Sequence, residues 1–102
     1  LKALRYIRKN IDKPINISQL SELCFLTDDH FIRLFKNEMK CTPTQYINQK
    51  KIEKAQVMLI IDDIPIKEIA YNLAFDNISY FNKLFKKLTG LTPGEYKKRL
   101  HM

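Results

Sequence analysis

An all-α fold is the expectation for these 102 residues, and three observations carry it. Apolar residues recur at i, i+3, i+4 and i+7 along most of the chain. Only two glycines and four prolines interrupt them. The third observation is an internal repeat. Phe31, Leu34, Phe35, Lys36, Thr42, Pro43 and Tyr46 have identical counterparts fifty positions on, at Phe81, Leu84, Phe85, Lys86, Thr92, Pro93 and Tyr96. Upstream the echo continues with the offset one shorter, so that Ile17, Leu20, Ser21 and Cys24 face Ile66, Ile69, Ala70 and Leu73. Two copies are too few for a solenoid, and they predict two related subdomains.

The elements follow in order. Leu4, Ile7 and Ile11 predict a scaffold helix over 2–10, ended by Asp12-Lys13-Pro14. Asn16 and Gln19 make a capping box for a short second helix, 17–25, with Leu20, Leu23 and Cys24 inward. Thr27 caps a third helix, 28–39, with Asp28 and Asp29 at the positive end of its dipole. For Asp28, helix capping and contact with a cytosine amino group both stay open. Phe31, Leu34 and Phe35 form its apolar stripe, and Asp29, Ile32, Arg33 and Lys36 share the other face.

Thr42-Pro43-Thr44-Gln45 opens the longest helix, 43–61, with Ile47, Ile52, Ala55 and Leu59 inward. Lys50, Lys51 and Lys54 are expected to be solvated or near a polyanion. Asp62-Asp63 ends it, and a fifth helix is expected over 65–73. A sixth, 77–89, carries Phe81, Leu84, Phe85 and Leu88 on its apolar side, opposite Asn82, Lys83, Lys86 and Lys87. Gly90 suits the left-handed residue that closes a helix. Thr92-Pro93-Gly94-Glu95 then starts a seventh, 93–100. Its Lys97, Lys98 and Arg99 are either a solvated face or phosphate contacts.

The formal net charge is +7. From Lys83 onward six basic residues face a single acid, Glu95. Charge of this kind suits a nucleic-acid partner, although it also serves solubility. Cys24 and Cys41 form no CxxC pair and are expected as buried free thiols of a reducing cytoplasm. No stretch is apolar enough to span a membrane. His30 and His101 have no catalytic partner in view, no Gly-rich phosphate loop is present, and neither metal nor cofactor is expected.

The second copy, IKEIAYNLAFDNISYFNKLFKKLTGLTPGEYKK, resembles the C-terminal signature of the AraC/XylS family of bacterial transcription regulators. The likeness runs from about Leu4 to Arg99. Ala74 stands where the family usually has glycine, Lys40 where its first copy often has glycine, and Lys51 where arginine is usual in the linker helix. The resemblance implies seven helices: a first helix-turn-helix lobe over 1–42, a linker helix over 43–61 and a second lobe over 62–102. It implies sequence-specific binding to double-stranded promoter DNA in the cytoplasm, with RNA polymerase and a companion effector or dimerisation domain as further partners. Carried over position by position, it implies base contacts from Asp29, Ile32 and Arg33 in the first unit, and from Ile78, Ser79, Asn82 and Lys83 in the second. Lys36 and Lys86 extend those faces.

Two other readings remain. The chain would serve as the DNA-binding part of an alkylation-repair protein if a cysteine-rich segment lay outside it. A helical protein-interaction module is the other, but it leaves the basic face of both copies unexplained.

Overall fold

The computed structural model describes residues 2–100; His101 lies outside them. Among the described residues the chain is all-α, with seven helices. They are α1 (Lys2–Lys9), α2 (Ile17–Leu23), α3 (Asp28–Met39), α4 (Pro43–Ile61), α5 (Ile66–Asn72), α6 (Ile78–Thr89) and α7 (Pro93–Leu100). Two compact units divide between Lys50 and Lys51, inside α4.

Local chemistry sets the boundaries. The Asn16 side chain accepts from the Gln19 amide, and the Gln19 side chain accepts from the Asn16 amide. Thr42 and Gln45 repeat this reciprocal pair at the start of α4, and Thr92 and Glu95 at the start of α7. Each pair satisfies two amides that a helix start otherwise leaves open. Thr27 and Asn77 cap α3 and α6 by accepting from the amides of His30 and Tyr80. Asn77 is therefore the cap of α6 and not its first residue. Likewise α2 stops at Leu23, two residues short of expectation, because Phe25 turns left-handed at φ 57°.

The first unit closes over Ala3, Ile7, Ile11, Leu20, Phe31, Phe35 and Ile47. The second closes over Ile52, Ala55, Leu59, Ile69, Ala70, Leu73, Phe75, Phe81 and Phe85. α4 thus supplies Ile47 to one core and Ile52, Ala55 and Leu59 to the other. The repeat is visible as packing. Phe31–Phe35 ring centroids lie 5.7 Å apart and Phe81–Phe85 5.9 Å. Phe35 meets Tyr46 edge-on at 5.6 Å, and Phe85 meets Tyr96 edge-on at the same distance. Edge-to-face pairs add about 0.5–1.5 kcal/mol beyond the area they bury. Each trio locks the back of one helix, α3 or α6, to the helix that follows it.

Three side chains lie on the opposite side from expectation. Leu34 and Leu88, expected inside, are each 45% exposed. Leu34 lies toward the edge of the stripe made by Phe31 and Phe35. Leu88 corresponds to Glu38, and that position is at the surface in both units. Lys51, expected outside, is 6% exposed. Its Nζ donates to the carbonyl of Leu73 at 2.8 Å, which gives the buried ammonium an acceptor.

Candidate nucleic-acid interface

In each unit a short helix, a tight turn and a twelve-residue helix follow one another. The turns are built alike. Phe25 N–H donates to Glu22 and Leu26 N–H to Ser21; Ala74 N–H donates to Tyr71 and Phe75 N–H to Ala70. Both need one left-handed residue, Phe25 at φ 57° and Ala74 at φ 66°. Small buried residues at Ser21 and Ala70 let the two helices of each pair approach closely.

The first unit adds a polar tie. Asp28, in the first turn of α3, accepts from the hydroxyls of Ser18 and Ser21 on α2. Both oxygens of the Asp28 carboxylate thus help to hold the helix pair together. In the second unit Lys67, Ala70 and Ile78 occupy the corresponding positions. There the pair is held without such a tie, and Ile78, Lys67 and Asn82 line a small cleft with Thr92, Pro93 and Gly94. The clue to the tie in the sequence was that the two polar residues facing Asp28 lie three apart on α2.

With their backs locked, α3 and α6 present matching outer faces. Asp29, Arg33 and Lys36 are exposed on α3; Ser79, Asn82, Lys83 and Lys86 are exposed on α6. Ile78 is 37% exposed. Ile32 is half-buried and packs against the first core, so only part of its side chain reaches the surface. Arg33 Nε makes one long bond, 3.5 Å, to the carbonyl of Asp29 one turn back. Arg33, Lys36, Asn37 and Lys40 line a shallow basic cleft of about 510 Å³. Lys98 and Arg99 are exposed on α7, and Lys97 is half-buried. Lys51, also expected near the polyanion, is committed to Leu73 instead.

The arrangement suits duplex DNA. The major groove admits an α-helix and displays a distinct donor and acceptor pattern for every base pair. Arginine and asparagine make paired hydrogen bonds to guanine and adenine edges, and lysines meet phosphates. Cys24 and Cys41 are both free, and they are half-buried where burial was expected. No helix among the described residues is long and apolar enough to cross a membrane.

Known proteins share this arrangement. A family model described as a helix-turn-helix domain matches residues 20–99. The chain is 32% identical over 91 residues to the probable transcriptional regulator LumQ of Photobacterium leiognathi, covering 89% of this chain and 37% of that protein. It is 33% identical over 97 residues to the bifunctional transcriptional activator/DNA repair enzyme AdaA of Bacillus subtilis, covering 95% and 46%. The chain spans less than half the length of either relative. The DNA-binding domain of AdpA, solved in complex with a target DNA, has the same fold: the TM-score is 0.91 at 17% identity, over 96% of this chain and 88% of that one. The helix-turn-helix match supports sequence-specific binding of double-stranded DNA by this domain. The chain belongs to the AraC/XylS family, as a DNA-binding domain with two helix-turn-helix units.

Proposed function

We propose that α3 and α6 are both reading helices, and that one chain recognises two unlike half-sites in a bacterial promoter. The observation that carries this is the pair of mirrored aromatic trios, Phe31–Phe35–Tyr46 and Phe81–Phe85–Tyr96, each fixing the back of a helix whose front is polar and exposed. Asp29, Ile32, Arg33 and Lys36 serve the first half-site; Ile78, Ser79, Asn82, Lys83 and Lys86 serve the second. Arg33 is assigned to guanine and Asn82 to adenine, by the geometry of their paired donors and acceptors. The exposed part of Ile32 is assigned to a thymine methyl. The outer residues differ between the two units, so the half-sites form no palindrome.

In the full protein the domain acts in the cytoplasm beside a companion effector or dimerisation domain, and it places RNA polymerase at the promoter. The name of the AdaA relative keeps a repair role in view for a longer protein. Such chemistry would belong to a segment outside this domain.

A salt titration tests the DNA reading. If ~6 phosphates are neutralised, log K against log salt falls with a slope near −5. A slope near zero in a mobility-shift titration contradicts it.

A further inference from the structure

We propose that Lys40 is a DNA-phosphate contact, kept at the end of α3 in a backbone conformation that favours glycine because its charge is needed there. The inference rests on the assignment of α3 as a reading helix.

Lys40 ends α3 at φ 64°, in the left-handed region. The same position in the second unit, the residue that ends α6, is Gly90 at φ 87°. Glycine takes this conformation freely, whereas a residue with a Cβ is strained in it. Nothing within 4 Å would meet a Cβ at Gly90, so the preference there is one of backbone and not of space. Lysine at position 40 therefore bears a conformational cost that its counterpart avoids.

The position explains what the lysine gains. Asp29, Arg33, Lys36 and Lys40 fall at i, i+4, i+7 and i+11 and share one face. Lys40 completes the basic cleft formed with Arg33 and Lys36. It lies about 10 Å along the axis from Arg33, at 1.5 Å per residue. The major groove is about 12 Å wide. A helix that holds Arg33 at the base edges thus carries Lys40 to the groove wall, where the phosphates are. The Nζ donates to the Asn37 carbonyl at 2.9 Å, which lays the side chain along the last turn. An ammonium has three donors, so this bond leaves two for phosphate oxygens.

The alternative is that Lys40 only neutralises the negative end of the helix dipole. DNA-binding salt titrations on the parent, Lys40→Gly and Lys40→Arg separate the two. Lys40→Gly is expected to melt no lower than the parent. It should bind a selected duplex roughly eightfold more weakly at 0.1 M salt, with the slope smaller in magnitude by about 0.9. Base preference should not change, and Lys40→Arg should restore the parent slope. An unchanged slope in Lys40→Gly, or a reduced slope in Lys40→Arg, overturns the proposal. If Lys40→Gly keeps the parent slope while Arg33→Ala alters base preference, the Lys40 assignment fails and the reading helix stands. If the parent itself shows no salt-dependent binding, both fail.

Discussion

The ammonium of Lys51, on α4, donates to the carbonyl of Leu73, the residue that ends α5, at 2.8 Å in a buried setting. A basic side chain in a basic protein is thereby buried and used to hold a turn. Leu73 directly precedes Ala74, the left-handed residue of the second turn. The bond therefore fixes the place where the chain leaves α5 to enter α6.

Lys51→Met is expected to lower the unfolding free energy by about 2 kcal/mol. Hydrogen bonds to charged groups contribute roughly 1.5–3 kcal/mol, and the Leu73 carbonyl would lose this partner. Lys51→Arg keeps a donor and should stay within about 1 kcal/mol of the parent. Urea denaturation measures both. An unchanged midpoint for Lys51→Met would show that the bond contributes nothing.

Lys51 also shows where sequence reasoning stops. Residues 51, 55 and 59 fall on one helical face, and Ala55 and Leu59 are core residues. Periodicity alone would have placed position 51 inside. Its residue type argued for the surface, because lysine is almost never fully buried without a partner. The partner is a carbonyl twenty-two residues away, and no local pattern announces it. The reciprocal caps at Asn16/Gln19, Thr42/Gln45 and Thr92/Glu95 were legible because both members lie within one turn. The outer faces of α3 and α6 were legible for the same reason, since helical spacing fixes them. Leu34 was misplaced because spacing gives the direction of a side chain but not the depth of the core beneath it. The Asp28 tie to α2 was missed because the register between two helices is a tertiary fact.

Ala74→Gly should stabilise the protein by about 0.5–1 kcal/mol. Left-handed backbone costs an alanine roughly 1–2 kcal/mol, and the greater freedom of glycine in the unfolded chain returns part of that. Thermal unfolding by circular dichroism would register the gain. A lower melting temperature would mean that the Ala74 methyl makes contacts worth more than its strain.

Glu95 supplies a pH signature. The Thr92 amide donates to its carboxylate at 2.9 Å, and this bond, then the Thr92 hydroxyl and the charges of Lys86 and Arg99, hold its pKa below the usual carboxylate value. A depressed folded pKa gives stability that is complete above the unfolded value and is lost as pH falls through the folded one. At the matching cap in the first unit, Gln45 makes the same bonds without charge. The parent should therefore exceed Glu95→Gln in melting temperature at pH 7, with the difference shrinking as pH falls below about 4. A difference that stays constant across that range would rule out a charged cap.

The central claim is that one chain reads two half-sites, with Arg33 on α3 and Asn82 on α6 as base readers. Its most direct measurement is the base preference of the parent, Arg33→Ala and Asn82→Ala, each determined by selection from a randomised duplex and quantified by mobility shift. Each substitution should cost about 1–3 kcal/mol on the parent's preferred site and relax one base position. The two relaxed positions should lie in different half-sites. Uniform weakening with no change in base preference would make both residues phosphate contacts, and relaxation at the same position by both would contradict two separate reading helices.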